Sequence, residues 1–209
     1  KTAERIVATF GPDTLRVIEQ EPERLREVRG LGRKADDIVR AWHEQQGIKQ
    51  LMALLQGHGI TPGLAIKIYR HYGEAALVVV QQQPYRLADE VFGIGFLTAD
   101  QIARSEGVRH DDAARLSSGV RHMLNVAASE GHCYLPREEL IPRAAKLLEV
   151  DDSAIAATLD QLDGQETTDQ PVLIEYADGV PHVYAAPLCY AEIGVANAIQ
   201  AIQRTPSAL

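Results

Sequence analysis

The feature that most constrains this chain is a glycine turn that occurs twice. Gly30-Leu31-Gly32-Arg33-Lys34-Ala35-Asp36-Asp37-Ile38-Val39 returns as Gly93-Ile94-Gly95-Phe96-Leu97-Thr98-Ala99-Asp100-Gln101-Ile102. Each copy reads as a helix-hairpin-helix, two short helices joined by a tight Gly-hydrophobic-Gly turn. The duplication is wider than the turn. Phe10-Gly11 matches Tyr72-Gly73, Leu15 matches Leu77, and Pro22, Arg24 and Leu25 match Pro84, Arg86 and Leu87. The offset is 62 residues there and 63 from Gly30/Gly93 onward. Such a repeat defines the folding unit.

Each copy opens on a second, less regular hairpin. In the later copy it is Gly57-His58-Gly59-Ile60-Thr61-Pro62, followed by Ala65 and Ile68. Thr61 suits an N-cap and Pro62 the first helical position. In the earlier copy Lys1-Thr2-Ala3-Glu4-Arg5-Ile6 reads as the second helix of the same device, so the sequence starts within a motif and reads as part of a longer chain. The expected plan is four hairpins in two pairs.

The residue types fit a phosphate-holding turn. Glycine allows positive φ and close backbone approach. Leu31 and Ile94, between the glycines, anchor the turn in the core. The following helix offers unpaired N–H groups and the positive end of its dipole. Ala99 permits close helix packing, and Val39 and Ile102 face the same core. Arg33 and Lys34 add charge-assisted donors. The fourth hairpin has Phe96 and Leu97 there, so weaker phosphate affinity is expected of it. Phe96 reads as a helix-interface residue before a base-stacking one. The candidate DNA-binding set is Gly30, Leu31, Gly32, Arg33, Lys34, Gly57, Gly59, Ile60, Thr61, Gly93, Ile94, Gly95 and Thr98.

A net charge of −8 argues against a polyanionic ligand until its distribution is seen. Residues 1–108 hold 14 Lys+Arg and 14 Asp+Glu, and residues 109–209 hold 7 and 15. The excess acid lies outside the hairpins. A neutral hairpin region predicts weak, sequence-independent binding that fades with salt. The two isolated cysteines, Cys133 and Cys189, fit a reducing cytoplasm. No apolar run is long enough to span a membrane, and the histidines show no zinc-ligand spacing.

The second half predicts a winged-helix-like order. Residues 112–130 read as a helix ended by Gly131, and Cys133–Leu135 as a short strand. A helix follows from Pro136 to Leu148, then one capped by Asp151 or Asp152. Val172–Tyr176 and Val180–Tyr184 flank Asp178-Gly179 as a β-hairpin. The third helix carries no Lys or Arg, and Asp151, Asp152, Asp160 and Asp163 lie on or beside it. It therefore reads as structural or protein-docking rather than a reader of DNA.

The fold class expected is mainly α: tandem helix-hairpin-helix units, then a winged-helix-like α+β domain. The boundaries read as 1–108 (units of about 1–45 and 50–108), 109–187, and a helix or linker over 188–209. No G-x-x-x-x-G-K-[ST] phosphate loop occurs, so the chain alone is not expected to hydrolyse ATP. Gly11-Pro12-Asp13 is superficially similar to a glycosylase motif. Its repeat counterpart, Gly73-Glu74-Ala75, lacks the aspartate, so Gly11 reads as a helix terminator and Asp13 as an N-cap.

Four segments together resemble the long-form RecD/TraA-type DNA helicases of superfamily 1. They are Leu51–Gly73 with its Gly59-Ile60-Thr61-Pro62 turn, Gln83-Pro84-Tyr85-Arg86-Leu87, Val91-Phe92-Gly93-Ile94-Gly95-Phe96-Leu97-Thr98-Ala99-Asp100, and Glu130-Gly131-His132-Cys133-Tyr134-Leu135-Pro136. The resemblance implies an N-terminal region preceding two RecA-like motor domains. It also implies a 5′→3′ helicase of repair or recombination, with ATP and Mg used by the motor. It implies single-stranded or junction DNA as partner. Asp36 stands where that family usually has Ala. The competing expectation is a regulatory module whose acidic second half docks a replication or repair protein.

Overall fold

The computed structural model describes residues 1–56, 60–164 and 170–204, and within it Lys1–Ile102 and Ala103–Leu209 form two units. In the first unit, α1 (Thr2–Phe10) ends at Gly11, whose φ of 54° is open to glycine at little steric cost. A 3-10 turn, Gly11–Asp13, leads to α2 (Thr14–Gln20), a 3-10 segment (Pro22–Glu27), the Gly30 turn and α3 (Lys34–Leu55). The same path then repeats. After α4 (Pro62–Tyr72) come Gly73 at φ 58°, the 3-10 turn Gly73–Ala75, α5 (Ala76–Gln82), α6 (Arg86–Glu90) and α7 (Phe96–Ser105).

The two paths agree closely. Phe10 and Tyr72 stand at φ/ψ of −108/−11° and −106/−11°. Glu21 and Gln83 stand at −134/51° and −139/52°. Arg24 lies over the Phe10 ring at 5.3 Å, and Arg86 over Tyr72 at 5.6 Å. The cores correspond as well: Ile6 with Ile68, Val17 with Val79, Leu25 with Leu87, Val28 with Val91, and Leu31 with Ile94, all buried. Repeated apolar spacing thus yields a repeated chain path. The long α3 joins the copies and packs on α2, α4 and α5.

Two local expectations are corrected. Asp13 precedes α2, but its side chain caps nothing; its carboxylate accepts from Arg16 Nε at 3.3 Å, and the Thr14 hydroxyl donates to the Gly11 carbonyl at 2.7 Å. The repeat also slips by one more residue after the second glycine. Ala35, 2% exposed, takes the packing place that Ala99 fills at 0%, while Asp36 points to solvent. Lys34 N–H donates to Leu31 O and Ala35 N–H to Gly32 O, both three residues back, whereas Ala99 N–H reaches Gly95 O, four back. The tighter entry of α3 turns Ala35 inward, so Asp36 is no departure at the packing position. Ile38 then corresponds to Ile102, and Val39 is only half-buried.

The second unit begins with α8 (Ala113–Ser129), whose N-cap Asp112 accepts from the N–H groups of Ala114 and Arg115. Then follow β1 (Tyr134–Pro136), α9 (Arg137–Leu148), α10 (Asp152–Asp163), β2 (Val172–Ala177), β3 (Val180–Ala185) and α11 (Ala186–Arg204). The sheet is antiparallel in the order β1-β3-β2, with Val183 facing Leu135 on one side and Ile174 on the other. Asp178 and Gly179, at φ 52° and 81°, form the two-residue turn between β2 and β3. Val120, Leu135, Leu140, Leu148, Ile155, Leu159 and Val183 make its core. The chain is therefore mainly α with a small β part.

Candidate nucleic-acid interface

The Gly30 turn is built from the core outward. Leu31, 4% exposed, pins its apex inside, and Gly30 and Gly32 adopt φ of 81° and 48° on either side. Leu31 N–H donates to Val28 O at 3.2 Å, closing the turn. No acceptor among the described residues meets the N–H groups of Gly30, Gly32 or Arg33. Those donors remain for an anion, at the start of α3 where the helix dipole is positive.

The charges around this turn are sorted. Two acids stand in the first turn of α3, and each has a cation of its own: Asp36 with Arg26 at 3.4 Å, Asp37 with Arg40 at 3.5 Å. The side chains of Arg5, Arg29, Arg33 and Lys34 make no ion pair or hydrogen bond among the described residues, and all four are exposed. Arg5 Nη1 lies 3.2 Å from the point where a Cβ on Gly30 would stand. Arg5, Thr9, Val28, Arg29 and Gly30 line one depression of about 540 Å³. A phosphate group is small beside that volume; a water occupies roughly 30 Å³ in the liquid.

The Gly93 turn keeps the scaffold and changes the surface. Ile94, 4% exposed, replaces Leu31 as anchor, and Gly93 holds φ 97°. Gly95 does not share the left-handed conformation expected of it. Its carbonyl accepts from Ala99 N–H at 3.1 Å, so it is the residue that starts α7 rather than part of the reversal. Lys67 occupies the place of Arg5, its Nζ 3.8 Å from a Cβ position on Gly93 and 3.5 Å from the Phe92 carbonyl oxygen. Where the first turn has Arg29, the second has Phe92. Phe96 is buried and stacked on Tyr85, with ring centroids 6.0 Å apart, as a helix-interface residue. Tyr85 donates a 2.8 Å hydrogen bond to Asp100. Thr98 is half-buried.

The third hairpin is only partly described. Gly57 and Gly59 lie outside the described residues; Ile60 is half-buried. Thr61 is the N-cap of α4, its hydroxyl accepting from Leu64 N–H at 3.4 Å, with Pro62 as the first helical residue.

Residues 44–134 match the family described as the ATP-dependent RecD2 DNA helicase HHH domain. The chain is also 30% identical, over 99% of its length, to the ATP-dependent RecD2 DNA helicase of Deinococcus radiodurans. The chain is RecD-like. It spans 30% of the length of that relative. The matched span takes in the second copy, with the Gly93 turn, and begins after the Gly30 turn.

In this RecD-like chain the sequence reading selected the turn glycines and the Arg33-Lys34 pair but passed over Arg5, Arg29, Lys67 and Phe92. Their signal was the duplication itself. The 62-residue offset pairs Arg5 with Lys67, and the 63-residue offset pairs Arg29 with Phe92. A conserved-looking place with changing chemistry is visible only once the fold shows that it borders the turn.

Within the second copy stands a polar cluster. Glu90 takes Arg86 Nε at 2.8 Å and His71 Nε2 at 3.3 Å. Arg86 above all, aided by Tyr72 and His71, holds the Glu90 carboxyl down to about 2. Burial, with Glu90 nearby, pushes the Tyr72 hydroxyl up to about 12. The cluster ties α4 to α6.

Proposed function

We propose that this chain is the accessory region of an ATP-dependent 5′→3′ DNA helicase of repair or recombination, and that it holds DNA through phosphate contacts at its hairpin turns. The observation that carries the reading is the Gly30 turn. Backbone donors and four cations unpaired among the described residues converge there with a helix start, while Asp36 and Asp37 are matched by Arg26 and Arg40. Such a set recognises phosphate without reading bases, so binding is independent of sequence. ATP and Mg chemistry would belong to motor domains of the longer protein, because the residues present include no phosphate loop. A cytoplasmic setting accords with this role.

The second unit takes a different part in this reading. Its element order is that of a winged helix, with α10 as third helix. α10 carries no Lys or Arg, and its carboxylates Asp160 and Asp163 meet Arg137 at 2.7 Å and the Tyr176 hydroxyl at 3.1 Å, so it offers phosphate no cation of its own. Protein docking suits this unit better. The exposed apolar side chains of α11, Tyr190, Ile193, Ile199 and Ile202, favour it.

Fluorescence anisotropy with forked, duplex and single-stranded DNA across a salt series tests the proposal. The expected slope of log affinity on log salt is about −2 to −4, for a few neutralised phosphates. Arg33→Ala/Lys34→Ala should weaken binding and flatten the slope. Unchanged binding by that variant would remove the turn from the interface. Absence of binding at low salt would leave the protein-docking role alone.

A further inference from the structure

We infer that Phe92 is a base-stacking platform for single-stranded DNA, a role distinct from the phosphate contacts of the Gly30 turn. The inference rests on the DNA-holding reading and adds a ligand preference to it. Phe92 is 92% exposed, the most exposed large apolar side chain among the described residues. It directly precedes the left-handed Gly93, which projects it from the reversal of the turn. Lys67 lies over one face of the ring, with Nζ 5.5 Å from the centroid, and donates to the Phe92 carbonyl at 3.5 Å, so a base would stack on the opposite face.

The duplication shows what is unusual here. The first turn is surrounded by Arg29, Arg33 and Lys34; the second has Phe92, Phe96 and Leu97 at the positions 63 residues on. Phe96 is used by the core, stacked on Tyr85. Phe92 is not. An aromatic face next to an ammonium matches the two halves of one nucleotide, a base and its phosphate. Bases in a duplex keep their faces in the stack, so the preferred ligand is single-stranded DNA, and stacking tolerates any base. Leu64 also borders the turn, its Cδ2 3.4 Å from a Cβ position on Gly93, but the ammonium of Lys67 over the Phe92 ring suits a nucleotide's phosphate better than an apolar protein anchor.

The test compares the 209-residue chain with Phe92→Ala, Phe92→Trp and Arg33→Ala/Lys34→Ala on three probes. These are a thymidine oligonucleotide, an abasic oligonucleotide of equal length, and a duplex. Phe92→Ala should weaken thymidine binding on the order of tenfold and leave the abasic strand and the duplex unchanged. Phe92→Trp should restore binding and show indole quenching as thymidine is added. An unchanged melting temperature is expected for Phe92→Ala, since the ring is exposed. Equal thymidine affinity for wild type and Phe92→Ala, or an equal loss on the abasic strand, would overturn the inference while leaving the phosphate reading intact. A change in oligomeric state by sedimentation without any change in DNA affinity would overturn it in favour of a protein contact. Failure of the wild type to bind any probe would overturn both readings.

Discussion

Arg5 lies over Gly30: its Nη1 is 3.2 Å from where a Cβ on that glycine would stand. The relationship joins the helix that opens the first copy to the turn that closes it. Lys67 repeats it at Gly93. Glycine is needed at both turns for their left-handed φ, while a Cβ would displace only the tip of Arg5 at Gly30 and meet Lys67 at ordinary contact at Gly93.

Gly30→Val and Gly93→Val should each cost on the order of 1–3 kcal/mol, because a β-branched residue resists positive φ. Gly95→Ala should cost less than about 1 kcal/mol, the range of a changed helix cap. Its Cβ position has nothing within 4 Å. Urea denaturation of the three variants checks this, and equal losses at Gly93 and Gly95 would contradict the assigned backbone.

The slipped register at α3 has its own test. Ala35→Leu should destabilise by about 1–3 kcal/mol through overpacking. Asp36→Ala should change stability by less than about 1 kcal/mol, as the Arg26 pair is exposed. It should also tighten DNA binding by freeing Arg26. Denaturation and anisotropy together decide; a costly Asp36→Ala would restore the unslipped alignment.

Acid should loosen the second copy at Glu90. Its carboxyl titrates at about 2 in the folded chain, against an ordinary 4.5, with Arg86 the main cause. The folded state therefore favours the carboxylate. The stabilisation is complete above the ordinary value and is lost as pH falls from 4.5 toward 2. In melting curves over that window, Glu90→Gln should show a shallower decline than wild type. Parallel curves would show that the carboxylate is not engaged with Arg86.

In the second unit, Arg115 is 1% exposed and donates to the carbonyls of His110 and Leu148 at 2.8 and 2.9 Å. Arg115→Met keeps much of the volume but leaves both carbonyls without that donor, at about 1–3 kcal/mol for each one left buried. A drop in melting temperature is expected. No drop would mean that water replaces the guanidinium.

Much of this was legible in one dimension. Leu31 and Ile94 between glycines announced buried anchors, and the Asp178-Gly179 pair announced the β2–β3 turn, because these depend on residues adjacent in sequence. Gly95 misled because Gly-hydrophobic-Gly does not say which glycine bends; the hydrogen bond from Ala99 decides that. Asp36 misled because an aligned sequence cannot see a helix starting one bond tighter. Arg5 and Lys67 were missed because they lie far in sequence from the turns they border.

The sequence by itself determined the duplicated chain path and the mainly α class, since both follow from local spacing of glycine, proline and apolar residues; the RecD-like character rests on the resemblance of its motifs and on the matches with known proteins. Only the tertiary structure decided which cations stay free. Arg26 and Arg40 are paired to Asp36 and Asp37, while Arg5, Arg29, Arg33 and Lys34 have no ion pair among the described residues. It also decided which aromatic remains outside: Phe96 stacks on Tyr85 and Phe92 does not enter the core. Pairing and burial depend on distances between segments remote in the chain, and composition does not encode those distances until the core has closed.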